Sequence, residues 1–384
     1  MIPFSWAINY NKEPMAITIA VIGSRGYPFV YSGYETFIQA LAERLTEDGY
    51  EVTVYCHRNL FPQRPKNVRG IHLVYLPTIE HKNFSQFFHS LQAMAHACLK
   101  RFSIVLVVNS ANGPFGVLAR FFRQKAVILM DGLDWRRPKW RGLGAAYFHW
   151  ASKMACRLYD VVLTDSREMQ RIIEQEFRRR PEVIAYGADV RTTFRPEYLD
   201  KWHLSARGYY LIVGRLVPDN NADLMIREFL ETRSPRKLVI VGDVPYRDAY
   251  AERLKSLSDP RLVFTGYIRD RDELASLYAF CYAYLHGHEY GGTNPALLGA
   301  LGFGSAVCAL DSVFNREVLE DSAYGLLFNK ARGHLETLIQ TIEDQPGRLD
   351  ALRKKGPDRI AATYTWEKIT TQYEALFERL VKTP

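Results

Sequence analysis

The segment YYLIVGRLVPDNNADLMIREFLET, residues 209–232, decides the fold. It begins as a short apolar strand, breaks at Gly214, and turns through Pro218, Asp219, Asn220 and Asn221. NADLMIREFLET then reads as a helix. The same order opens the chain. AITIAVIG (16–23) is a strand, SRGYPFVYSG a loop, and YETFIQALAERLTEDG a helix in which Phe37, Leu41 and Leu45 fall four residues apart. Gly49 ends that helix, and EVTVYCH is the next strand. A strand–loop–helix pattern that begins twice implies two similar domains.

Between these starting points run the strands IHLVYLP, SIVLVVNS, KAVILMDG and VVLTDS. After residue 232 come KLVIVGDVP, RLVFTGYI, CYAYLHG, SAVCAL and YGLLFN, with helical stretches between several of them. Such alternation predicts parallel sheets covered on both faces. The fold class is therefore α/β, with two facing, doubly wound, Rossmann-like domains. The boundary falls around 187–208, where Pro, Asp and Arg suit a linker. The expected division is an extension over 1–15, an N-terminal domain over 16–200, a C-terminal domain over 201–365, and a helix over 366–384 that crosses back to the N-terminal domain.

Composition narrows the class. The 384 residues are 47% hydrophobic and 24% charged, as in a globular protein. The longest apolar runs, SIVLVV and KAVILM, are far short of the roughly 20 residues that span a bilayer. The opening MIPFSWAINYNKEPMA has no basic region followed by an apolar core, so it is a poor signal peptide. The five cysteines form no C-x-x-C pair and read as reduced core thiols. Neither they nor the histidines have zinc-ligand spacing. The net charge of +8, with basic runs at 135–141 and 167–180, suits anionic phosphates or an acidic membrane surface. Nucleic acid is disfavoured, since no zinc finger, aromatic RNA-binding signature or basic tail is present.

In doubly wound sheets, ligands bind beyond the carboxyl ends of the strands. Four segments lie at such ends: VIGSRGYPFVYSGYETFIQALAERL (21–45), DGLDWRRPKW (131–140), GRLVPDNNADLMI (214–226) with VGDVPY (241–246), and HGHEYGGTNPALL (286–298). Together, and in this order, they resemble the family 4 glycosyltransferases, especially the rhamnosyltransferase-like bacterial branch. The resemblance implies the GT-B fold and metal-independent transfer of a sugar from a nucleotide-sugar. The donor would bind to the C-terminal domain and the acceptor to the N-terminal one. It requires no cofactor beyond the nucleotide-sugar cosubstrate, a dTDP-, UDP- or GDP-sugar. The implied acceptor is a surface polysaccharide or lipid-linked glycan, with work in the cytoplasm and contact with the inner membrane face.

The residues support these roles physically. Gly23, Gly26 and Gly33 let the first loop come close to a ligand and take positive φ. The helix starting near Tyr34, with Glu35 in its first turn, aims free N–H groups at the cleft. Family members usually carry two adjacent glycines here, whereas this chain has Ser32–Gly33. Arg215 is the expected neutraliser of the donor diphosphate, because a guanidinium grips phosphate oxygens in a fork. Asn220 and Asn221 stand where many relatives add a lysine. Gly242, Asp243 and Tyr267 are placed near the nucleotide, with helix capping the other reading of Asp243. Asp270 with Glu273 reads as a capping box rather than a metal motif. Asp131 is the candidate acid or base. Trp135 could stack on a sugar, and Arg136 and Arg137 could hold phosphate.

One departure stands out. The family commonly carries two glutamates separated by seven intervening residues in the donor loop and helix, and here those positions are Gly291 and Gly299. The rhamnosyltransferase-like branch already has glycine at the first, so Gly299 is the real change. Glycine cannot accept bonds from ribose hydroxyls. Donor binding then falls to Arg215, the loop Gly291, Gly292, Thr293 and Asn294, and Glu289. A deoxyribose dTDP donor would need fewer such bonds. The alternative is a degenerate glycosyltransferase serving as a binding or assembly partner.

Overall fold

The structure is a computed structural model describing residues 16–28, 33–78, 85–138, 140–244 and 247–383. The expected 1–15 extension lies outside these residues. The first sheet has eight strands: β1 (Thr18–Ile22), β2 (Glu51–His57), β3 (Asn67–Val68), β4 (Ile71–Leu76), β5 (Ile104–Val108), β6 (Ala126–Leu129), β7 (Val161–Thr164) and β8 (Glu182–Val183). Their order is β3-β4-β2-β1-β5-β6-β7-β8. All pairs are parallel except β3–β4. The second sheet contains β9 (Tyr209–Val213), β10 (Lys237–Val241), β11 (Leu262–Gly266), β12 (Ala283–His286), β13 (Val307–Leu310) and β14 (Leu326–Phe328). It is wholly parallel, in the order β11-β10-β9-β12-β13-β14. The expected pair of doubly wound α/β domains is what the chain forms.

The strands legible in the sequence are the buried ones. Every residue of β5, β6 and β7 is buried, as expected of parallel strands sandwiched between helices. The two-residue strands β3 and β8 escape sequence reading because two residues show no alternation.

Helix α1 (Gly33–Glu47) covers one face of the first sheet and buries Phe37, Leu41 and Leu45, the three residues of its apolar stripe. Burying each such side chain stabilises the fold by roughly 1.5–3 kcal/mol. The 366–382 helix crosses back and packs against α1. Tyr373 and Trp366 meet Phe37 with ring centroids 5.7 and 6.4 Å apart. Lys125 donates to the Leu380 carbonyl at 2.5 Å, and Arg379 pairs with Glu182 at 2.6 Å. On the opposite face lie α2 (Ser85–Lys100), α3 (Gly116–Phe121) and α4 (Leu143–Leu158). All five cysteines are free and buried.

Candidate functional site

The carboxyl ends of the two sheets face each other, and polar groups from both domains meet there. On the N-terminal side, Asp131 follows β6 and Asp165 follows β7. The Asp131 carboxylate accepts hydrogen bonds from the hydroxyls of Tyr34 and Tyr186, the latter at 2.6 Å. Burial raises the Asp131 carboxyl above its ordinary value, and the two tyrosine bonds pull it back. Asp165 is raised well above the carboxylate range by burial first and by the Asp131 charge second. One Asp165 oxygen, Oδ1, is buried without a hydrogen-bond partner. Two adjacent strand ends thus present two carboxyls to the facing domain.

The facing segment is the GGTN loop. Gly292 N–H donates to the Asp131 carbonyl at 3.1 Å. Thr293 Oγ1 accepts from Tyr186 N–H at 3.1 Å and lies 3.3 Å from the Asp165 carbonyl, to which it donates. A Cβ on Gly292 would sit 1.8 Å from Asp165 Oδ1, so only glycine permits this approach. Arg137 spans the same gap. It donates to the Tyr290 carbonyl at 2.9 Å, pairs with Asp134 at 3.3 Å, and lies 3.9 Å from Asp219 of the other domain.

On the C-terminal side, Arg215 lies just past β9. It is partly buried and has no side-chain hydrogen bond or ion pair among the described residues. Its charge, with that of Arg137, reaches His288, whose imidazole is held well below its ordinary pKa by burial first. His288 Nδ1 and Asn220 Oδ1 are 2.9 Å apart, and Asn220 Nδ2 donates to the Arg215 carbonyl at 2.8 Å. Since the amide nitrogen is engaged with Arg215, the amide oxygen accepts from the imidazole N–H. Asn221 donates to the Gly287 carbonyl at 2.8 Å. These asparagines brace the two loops against each other. Both asparagine side chains are thereby engaged within the protein.

Several other expectations change in the folded chain. Trp135 packs edge-on against Phe177 and His149, with centroids 5.4 and 6.2 Å away, so its ring is occupied inside the N-terminal domain. Expected to hold phosphate, Arg136 and Arg137 instead face carboxylates: Arg136 pairs with Glu176, and Arg137 is clasped as described. Asn294 caps the 295–302 helix, accepting from Ala296 N–H at 2.9 Å. Among the described residues Asp243 caps no helix, and its Oδ1 accepts from Val244 N–H at 2.8 Å. It pairs with Lys255 at 3.0 Å, while Asp248 caps the following helix, which begins only at Ala249. Asp270 does cap its helix, but Glu273 does not complete the box, because Lys201 and Trp202 hold its carboxylate at 3.0 and 2.8 Å.

The remaining candidates divide between the two domains. Glu289, the expected substitute for the missing acid, is bonded to Lys330 at 2.5 Å. Gly26 has φ +128°, but a Cβ there would strike Cys56 Sγ at 2.8 Å, so its close approach is to the protein itself. Gly33 needs no positive φ. It begins α1, and a Cβ there would lie 3.6 Å from Pro295 at the start of the 295–302 helix. Two helix N-termini therefore meet across the cleft. A Cβ on Gly242 would lie 2.1 Å from the Gly214 carbonyl, which ties the β9 and β10 loops together. A Cβ on Gly291 would come within 2.9 Å of His288 Nε2. Tyr267 is half-exposed, and its hydroxyl pKa is raised by burial and, less strongly, by Glu35 of the opposite domain. Gly299 lies in the 295–302 helix, and a Cβ there would meet only Phe303 at 3.7 Å.

Sequence reading overlooked Asp165, Tyr34, Tyr186, Asp219 and His288 as site residues. Asp165 had a signal: in VVLTDS it follows its strand as Asp131 follows KAVILM. The tyrosines had none, since only the folded chain brings residues 34 and 186 to one carboxylate.

Comparison with known proteins agrees with this architecture. A glycosyltransferase family 4 model matches residues 31–192, and a glycosyl transferases group 1 model matches residues 207–344. The chain belongs to the family 4 glycosyltransferases and has their GT-B fold. Among solved structures it is similar to sucrose-phosphate synthase (tll1590) from Thermosynechococcus elongatus, with TM-score 0.84 and 18% identity over 96% of this chain and 100% of that one. It is also similar to Anabaena Alr3699/HepE in complex with UDP-glucose, with TM-score 0.75 and 15% identity over 94% of this chain and 99% of that one. A glycosyltransferase from Rickettsia africae ESF-5 gives TM-score 0.74 and 12% identity over 97% and 100% of the two chains. No curated protein sequence matches the chain.

Proposed function

We propose that the protein transfers a sugar, rhamnose from dTDP-rhamnose, to a glycan or lipid-linked acceptor of surface polysaccharide synthesis. The observation that carries the donor half is Arg215. A partly buried guanidinium without a protein partner among the described residues, in a protein where two helix N-termini also meet across the cleft, suits a diphosphate. The Anabaena relative, solved with UDP-glucose, supports a nucleotide-sugar ligand. The choice of dTDP rests on Gly299, which presents no carboxylate to a ribose hydroxyl, and on Glu289, whose carboxylate Lys330 already holds.

Arg215 neutralises the departing diphosphate in this reading. Asp131, at the floor of the cleft between two tyrosine hydroxyls, is the group nearest to acid–base work on the acceptor side. Gly299 also favours a second reading, a binding or assembly partner that has lost catalysis. Calorimetric titration with dTDP-, UDP- and GDP-sugars separates them. The donor reading expects saturable binding, tightest for dTDP. Absence of binding to all three overturns it and leaves the partner reading.

A further inference from the structure

The face of the N-terminal domain opposite α1 has an unusual composition. Residues 81–159 contain twelve lysines and arginines but only two acids, Asp131 and Asp134, leaving 38 basic and 40 acidic residues in the rest of the chain. The whole positive excess of the protein therefore resides in this one segment. Both of its acids belong to the cleft: Asp131 is held by Tyr34 and Tyr186, and Asp134 is buried against Arg137. Helices α2, α3 and α4 contain no acid at all.

These helices form one layer on the sheet, with α3 in contact with both α2 and α4. Their outward stripes are apolar as well as basic. On α2, Phe88, Leu91 and Leu99 recur at helical spacing and are exposed. On α3, Val117 and Phe121 are exposed, and Phe122 follows, its ring 5.1 Å from that of Phe121. On α4 the stripe is Leu143, Ala146, Trp150, Lys153 and Arg157, all exposed. Leu143 is 91% exposed, Phe121 79% and Leu99 69%. Ring contacts join α2 to α4, running from Phe88 through Phe87 and Tyr147 to Trp150. Lys100, Arg101, Arg120, Arg123 and Arg141 are exposed on or beside the same helices. Near them, Glu176 is already paired with Arg136.

We infer that this face is a membrane-docking surface, which lays α2, α3 and α4 against a bilayer containing anionic lipid. Exposed Phe, Leu and Trp tips bury in the headgroup–acyl boundary while Lys and Arg meet lipid phosphates, a combination found in interfacial helices. Within α2, α3 and α4 no acid repels those phosphates; the nearest carboxylates are Asp160, exposed just past α4, and Glu176, paired with Arg136. Exposed apolar tips grouped on one layer mark an interaction surface. None of its helices is long and apolar enough to cross a membrane, so the contact is peripheral. The N-terminal ends of α2 and α4, with Phe88 and Leu143, lie at the strand ends that open into the cleft. A bilayer there would bring a lipid-borne acceptor to the cleft mouth. Only that last link rests on the proposed activity, while the surface stands without it.

Vesicle co-sedimentation of the full chain tests the surface without any sugar donor. Wild type should bind vesicles of phosphatidylcholine with 30% phosphatidylglycerol at least tenfold tighter than pure phosphatidylcholine, and 0.5 M salt should weaken that binding. The double variants Leu143→Ser/Phe121→Ser and Lys153→Glu/Arg157→Glu should each lose most of it. Circular dichroism should show both folded, because all four side chains are exposed. Equal binding to the two vesicle types overturns the inference, as does unchanged binding by either folded variant. Salt-sensitive binding of a single-stranded oligonucleotide in preference to the anionic vesicles also overturns it, in favour of a nucleic acid. Failure of donor titration with vesicle binding intact would sink the activity and leave the surface standing.

Discussion

Two arginines face the same cleft from opposite domains and have opposite fates. Arg137 is surrounded by Asp134, Asp219 and the Tyr290 carbonyl, so its charge is neutralised by the protein. Arg215 has no such partner among the described residues, while the loop around it is braced by Asn220 and Asn221. Sequence motifs treat both as candidate phosphate ligands. The fold makes one a clasp between domains and gives the other no side-chain partner among the described residues. A charge partly removed from water needs compensation, and where the protein does not supply it, a bound anion can.

The comparison breaks most decisively at Arg215. Arg215→Ala should weaken nucleotide-sugar binding by about 2 kcal/mol, roughly 30-fold, because a hydrogen bond to a charged group contributes on the order of 1.5–3 kcal/mol. Calorimetry should show this loss with the melting temperature unchanged. A fall in melting temperature with binding intact would place Arg215 with Arg137 among the clasps.

Gly292→Ala attacks the clasp side. Its Cβ would fall 1.8 Å from Asp165 Oδ1. Relief requires the loop to withdraw from the N-terminal domain, at a cost of about 1–3 kcal/mol. Small-angle scattering should report a more open particle, and thermal melting a less stable one.

Asp165 sharpens the same contrast through pH. Its folded pKa is raised, so between the unfolded and folded values the native state binds more protons than the unfolded state. Its contribution to stability is full below the unfolded value, near 4, and is lost as pH rises through the folded one, with a slope of up to about 1.4 kcal/mol per pH unit. Asp165→Asn cannot ionise. Melting followed from pH 5 to 8 should decline less steeply for the variant than for wild type. Parallel profiles would show that Asp165 carries no linkage.

The smallest effect is expected at Gly299. The helix has room for a side chain there, since a Cβ meets only Phe303 at 3.7 Å. Gly299→Glu should gain roughly 0.5–1 kcal/mol of helix stability. It should also tighten binding of UDP- or GDP-sugars by about tenfold while leaving dTDP-sugars unchanged. Equal effects on all three would remove the ribose explanation for this glycine.

How far the sequence reached is visible in particular residues. The β9 run YYLIV and the stripe of Phe37, Leu41 and Leu45 announced their elements, because burial imposes a local period that a single chain displays. The order of motifs likewise placed DGLDW, GRLVPDNN and GGTNP at strand ends. The chemistry of the single side chains was less legible. Trp135 and Arg136 stand in the right loop yet point to Phe177 and Glu176. Asp165 was passed over although it matches Asp131 in placement.

By itself, then, the sequence determined two parallel α/β domains, a returning C-terminal helix and a cleft lined by four loops, since strand period, helix period and turn residues are local properties. Tertiary structure alone decided which polar groups the protein satisfies and which it leaves for a ligand. Tyr34 and Tyr186 are 152 positions apart in the chain and reach one carboxylate. The acid-free helices α2, α3 and α4 become a surface only when the sheet aligns them. Hydrogen-bond partners and surface patches are set by contacts between distant segments, and no local pattern encodes them.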